Sequence, residues 1–145
     1  MLNITELVDQ LKDETQWQET PVPLTDEQYT KMIIRGLEKL FVDTGRAKDY
    51  DENKYQTVTT STDSYVAYDG DFLIDEKHYI MLCAQMNFFK KVQTDVNNTF
   101  GYSTDALTVT NADKPYANLK NTLEDLDKER RITYYKMHRY ALGTE

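Results

Sequence analysis

The sequence predicts a mainly α fold: one domain, a helical bundle of about four helices with an inserted β-hairpin or extended arm. Four segments repeat apolar residues at helical spacing, capping residues stand in front of them, and one stretch between the second and third is rich in β-branched and aromatic residues. At 145 residues the chain has the commonest domain size, enough for one core.

The first helix is expected over about 4–13, where Ile4, Leu7, Val8 and Leu11 share a face and Asn3 and Glu6 stand as cap and return partner. Trp17 and Pro21-Val22-Pro23 read as an extended connector, because alternate prolines disfavour helix. Thr25 to Gln28 is a capping box that opens a second helix to about residue 43. Its stripe is Tyr29, Ile33, Leu37, Leu40 and Phe41, and Gly45 is placed to end it in the left-handed conformation.

The arm is expected over about 55–68, two short strands joined by the turn residues Ser61 to Ser64. Two strands alone are marginal in water, so it needs the helices or a neighbouring subunit to hold it. Its candidate interface residues are Tyr55, Val58, Tyr65, Val66 and Tyr68. The third helix, about 75–98, is capped by Asp75. It carries Tyr79, Leu82, Met86 and Phe89 on one stripe and Ile80, Cys83 and Val92 beside it, so it should be the central helix. Phe100 to Ala112 reads as a linker. Asp113 and Pro115 open a fourth helix, about 114–141, with Tyr116, Leu119, Leu123 and Leu126 on its core face, a weaker continuation through Thr133 and Met137, and Gly143 beyond it.

The formal net charge is −8, and it is asymmetric: residues 1–72 carry 15 acidic and 7 basic side chains, residues 73–145 carry 10 of each. That balance argues against a general nucleic-acid binder, which depends on neutralising phosphates. No apolar run approaches the roughly 20 residues of a membrane-spanning helix. The start, Met1-Leu2-Asn3-Ile4, lacks signal-peptide patterning, so an intracellular protein without a membrane partner is expected. The lone Cys83 suits a reducing compartment as a small buried hydrophobe.

No catalytic, cofactor-binding or metal residue is assigned. The two histidines, His78 and His138, sit in no ligand-spaced motif, and nucleophile elbows and phosphate loops are absent. Asp49-Tyr50-Asp51-Glu52-Asn53 imitates the opening of a calcium loop, but Lys54 stands where glycine is needed and Thr60 where a bidentate glutamate is needed. Glu124, Asp125, Asp127 and Glu129, beside Lys128, Arg130 and Arg131, read as a salt-bridged solvent face. The 11 tyrosines point to interfaces or, at even weight, to a thin core. The basic and aromatic end of the last helix, Arg130, Arg131, Tyr134, Tyr135, Lys136 and Arg139, reads as a protein-docking face, with complementation of the helix dipole as the plainer explanation.

From Phe72 to Tyr140 the chain resembles the head-to-tail connector, or adaptor, proteins of tailed bacteriophages. The resemblance rests on the helix opening Asp75-Glu76-Lys77-His78-Tyr79, the stretch Phe100-Gly101-Tyr102-Ser103-Thr104-Asp105-Ala106-Leu107-Thr108-Val109-Thr110, and Asp113-Lys114-Pro115-Tyr116 opening the leucine helix. It implies a structural virion protein of the neck that forms a homo-oligomeric ring, commonly twelvefold. Such a ring joins the portal protein to the next neck or tail component and lets double-stranded DNA pass without specific binding. Acidic segments of the N-terminal half would then face the channel, and the basic last helix would dock to the portal. The alternatives are a tail-completion or tail-terminator protein, or an acidic DNA-mimic regulator.

Overall fold

The computed structural model describes residues 1–15, 24–100 and 120–137, with 95–100 described by backbone alone. It is mainly helical with a small antiparallel sheet, as the sequence predicts. The order is β1 (Leu2–Asn3), α1 (Ile4–Glu14), α2 (Asp26–Asp43), single 3-10 turns at Ala47–Asp49 and Glu52–Lys54, β2 (Tyr55–Thr59), β3 (Ser64–Tyr68), α3 (Ile74–Phe100) and α4 (120–137). The expected connector 16–23, linker 101–112 and the cap at Asp113 lie outside the described residues, as do His138, Arg139 and Gly143.

The helices start where side chains can satisfy orphan amides. Asn3 accepts from the Glu6 amide at 3.0 Å. Thr25 and Gln28 close a reciprocal capping box. Gly45 takes φ 73° directly after α2, the left-handed region that favours glycine. At α3 the expected cap is corrected: the helix begins at Ile74, one residue before Asp75. The return bond comes from Glu76, whose carboxylate accepts the Leu73 amide at 2.9 Å and holds Arg46 at 2.5 Å. A buried carboxylate paired at both oxygens serves where Leu73 has no side-chain acceptor of its own.

Helix α3 is central. Tyr79 to Ala84 are six consecutive buried residues, a run only a helix covered on several sides can bury. Helices α1 and α2 pack against it with Ile4, Leu7, Val8 and Leu11 and with Met32, Ile33, Leu37, Leu40 and Phe41. Each such aliphatic side chain contributes about 1.5–3 kcal/mol relative to exposure. Gly36 lets α2 and α3 approach closely: a Cβ there would stand 2.7 Å from the Ile80 carbonyl oxygen.

The arm is not a free hairpin. Strand β3 is central in a three-stranded sheet ordered β1-β3-β2, and both pairings are antiparallel. Tyr68, expected at a subunit interface, is 1% exposed, inside the chain's own core. It stacks on Tyr50 at 5.9 Å and meets Tyr55 edge-on at 4.9 Å, with Phe41 and Phe72 within 6.1 Å. Tyr50 and Tyr55 share a hydroxyl hydrogen bond at 3.1 Å, and burial raises the Tyr55 hydroxyl well above its ordinary pKa. Most described tyrosines are therefore structural: only Tyr135 is largely exposed. The sheet is anchored to the helices by this aromatic cluster, worth about 0.5–1.5 kcal/mol per ring pair beyond area.

The Gly36 contact predicts that Gly36→Ala lowers the melting temperature although alanine is the better helix former. Forcing a methyl against backbone costs about 1–3 kcal/mol, more than the roughly 1 kcal/mol of propensity gained. A melt that rises would show that the two helices can move apart freely.

Candidate functional site

Helix α4 lays Leu123, Leu126, Arg130, Thr133 and Met137 against the body, a spacing of three and four residues. Thr133 is buried and returns its hydroxyl to the Glu129 carbonyl at 2.9 Å. The apolar stripe is thin, and a polar cluster completes the attachment. The Arg130 guanidinium donates to the Tyr79 hydroxyl at 3.0 Å and to Asp127 at 2.9 and 3.2 Å, and stands 3.7 Å from Asp43. The Tyr79 hydroxyl in turn donates to Asp43. One guanidinium thus links α4 to residues of both α2 and α3.

The protonation states fit these bonds. Burial opposes charge on Arg130, but the hydrogen bonds to Asp127 and Tyr79 outweigh it and raise its pKa further. The Arg130 hydrogen bond holds the Asp127 carboxyl below its ordinary value. Burial, reinforced by the bond to Asp43, raises the Tyr79 hydroxyl, and Cys83 behind it is pushed up to about 12 by burial, so its thiol stays protonated and unreactive.

The expected docking residues therefore separate. Arg130, expected as a docking cation, acts as a clamp within the chain and also lines a surface depression. Arg131, 69% exposed at its side chain, holds Asp127 at 3.0 Å, and Tyr135 and Lys136 are exposed. Tyr134 is half-buried and meets Tyr135 edge-on at 5.9 Å. Arg130, Arg131, Tyr134 and Tyr135, with Asp43, line an open depression of about 410 Å³. Four of the six expected docking residues thus surround one hollow. Exposed Ile132, at 48%, extends this face with an apolar side chain that the sequence reading missed, although its position between Arg131 and Thr133 on a polar-looking face was a signal.

Of the arm residues, Tyr55, Val58 and Tyr65 are half-buried and Val66 is exposed. His78 holds Glu129 at 3.0 Å, a packing contact between α3 and α4. Among the described residues no group of three or more His, Cys, Asp or Glu side chains is placed to hold a metal ion, and no helix is long and apolar enough to cross a membrane. The acidic side chains of the N-terminal half are mostly outside: Glu6, Asp9, Asp13, Glu27 and Glu38 are exposed on α1 and α2.

Arg130→Met is expected to lose roughly 1.5–3 kcal/mol of stability, the range for hydrogen bonds to a charged group, and to speed amide exchange over residues 120–137 first. Equal exchange there would remove the clamp. Because the Asp127 pKa is lowered, its contribution is full above the ordinary value of 3.8 and is lost as pH falls through the lower folded value. Thermal melts in acid should accordingly fall less steeply for Asp127→Asn than for the parent, and parallel profiles would contradict the linkage. Cys83 should resist a disulfide reagent in the folded chain and react on unfolding; fast native labelling would contradict its burial. The chain matches no known protein family, no curated protein and no solved structure.

Proposed function

We propose that this chain is a structural subunit of the bacteriophage neck, one copy of a ring that joins the portal of the DNA-filled capsid to the next neck or tail component. The observation that supports it most is the outer face of α4. On a chain of net charge −8, Arg131, Ile132, Tyr135 and Lys136 present cations, an aromatic ring and an aliphatic side chain together to solvent, and Arg131 and Tyr135 also line a hollow beside the internal clamp. Aromatic residues and arginine are the side chains enriched where proteins bind one another. The resemblance of residues 72–140 to connector proteins supplies the partner class.

In this reading α4 docks to the portal, with Arg139 extending the same basic run in the sequence. The carboxylates of α1 and α2 line the channel, where like charge keeps DNA sliding instead of adhering. A basic rim speeds encounter with an acidic partner surface and sets orientation, while Tyr135 and Ile132 supply burial. Binding to isolated tail tubes instead of portals would favour tail completion.

Immobilised portal rings of the encoding phage should retain the parent chain, and Arg131→Glu combined with Lys136→Glu should weaken retention at least tenfold and make it less salt-dependent while the melting temperature holds. Equal retention of both chains would remove α4 from the docking role. A chain that ignores portals but binds a nucleic-acid enzyme would point to the DNA-mimic reading.

A further inference from the structure

Strand β2 has an open side. The bonds from the Thr60 amide to the Asp63 carbonyl at 2.7 Å and from the Asp69 amide to the Lys54 carbonyl at 3.0 Å fix the phase of its ladder with β3. Hydrogen-bonded pairs alternate along an antiparallel ladder, so Lys54, Gln56, Val58 and Thr60 face β3 and Tyr55, Thr57 and Thr59 point their amides and carbonyls away from it. The Tyr55 amide is taken by the Glu52 carbonyl. The N–H and C=O groups of Thr57 and Thr59 carry no partner among the described residues, and both residues are exposed.

Open edges normally carry lysine, proline or a bulge against pairing with other chains. Tyr55 to Thr62 has no charged residue and no proline, and the pairing with β3 runs through Tyr55–Thr59 without a skipped residue. The edge is also self-complementary. An antiparallel second copy centred on Thr57 would exchange both bonds between the two Thr57 residues and set each Thr59 amide on the partner copy's Tyr55 carbonyl. It would place threonine opposite threonine, tyrosine opposite threonine and valine opposite glutamine, with no like charges facing; the first two are favourable cross-strand pairs.

We infer that two copies of this chain pair edge to edge through β2, continuing the sheet across a two-fold axis at Thr57. This contact uses a surface separate from α4 and does not depend on the neck reading. An isologous pair of this kind closes on itself, so it buries the edge without propagating into a filament.

Sedimentation velocity of the full chain over a concentration series tests it. A monomer–dimer equilibrium is expected, and Thr57→Lys, which sets two cations against each other, should weaken it by roughly tenfold or more. Thr57→Pro removes only an outward amide, which edge strands tolerate, and should act alike, with circular dichroism showing both variants folded. Thr57→Cys should give a disulfide-linked dimer on mild oxidation, since the native Cys83 is buried. A parent chain that stays monomeric throughout, or any dimer or ring that both folded variants leave intact, overturns the pairing.

Discussion

The attachment of α4 rests on a single partly buried cation. Leu123, Leu126 and Met137 supply a thin apolar seam, His78 of α3 holds Glu129, and Arg130 reaches Tyr79, Asp127 and Asp43 at once. A guanidinium suits this place because its charge persists at any working pH and its planar fork serves several acceptors. Removing one partner from such a cluster leaves the others with desolvated, unpaired groups, so the cluster forms or fails as a unit. The proposed docking face depends on it, since Arg131, Ile132, Tyr135 and Lys136 are presented outward only while Arg130, Thr133 and Met137 face inward.

That cluster could not be read from the chain. Arg130 lies 51 residues from Tyr79 in sequence and looked like its neighbour Arg131, so nothing local separates an internal clamp from a solvent cation. The features that were legible are those carried by short-range chemistry: the Asn3 cap, the Thr25–Gln28 box, the Gly45 stop and the helical stripes of α1 to α3. Strand β1 escaped notice because two residues cannot show a period. The start of α3 was misplaced by one residue because Asp75 resembles a cap, whereas the buried Glu76 serves from inside the helix.

The tyrosines show how composition can point in two directions. Tyr68 and Tyr79 are core residues whose hydroxyls reach a backbone amide and a carboxylate, and Tyr50 and Tyr55 bond each other. An arm that is too small to hold itself is thereby fastened to α2 and to the loop before it. Among the described residues, the surfaces offered to partners include the α4 face with Tyr135 and the uncharged outer edge of β2. The exposed carboxylates of α1 and α2 repel polyanions.

Electron microscopy of tail-less capsids incubated with the purified chain tests that reading most directly. The account predicts a ring of added density at the portal vertex alone, with α4 against the portal and α1 and α2 towards the channel. Capsids whose portal vertices remain bare at saturating protein would contradict it.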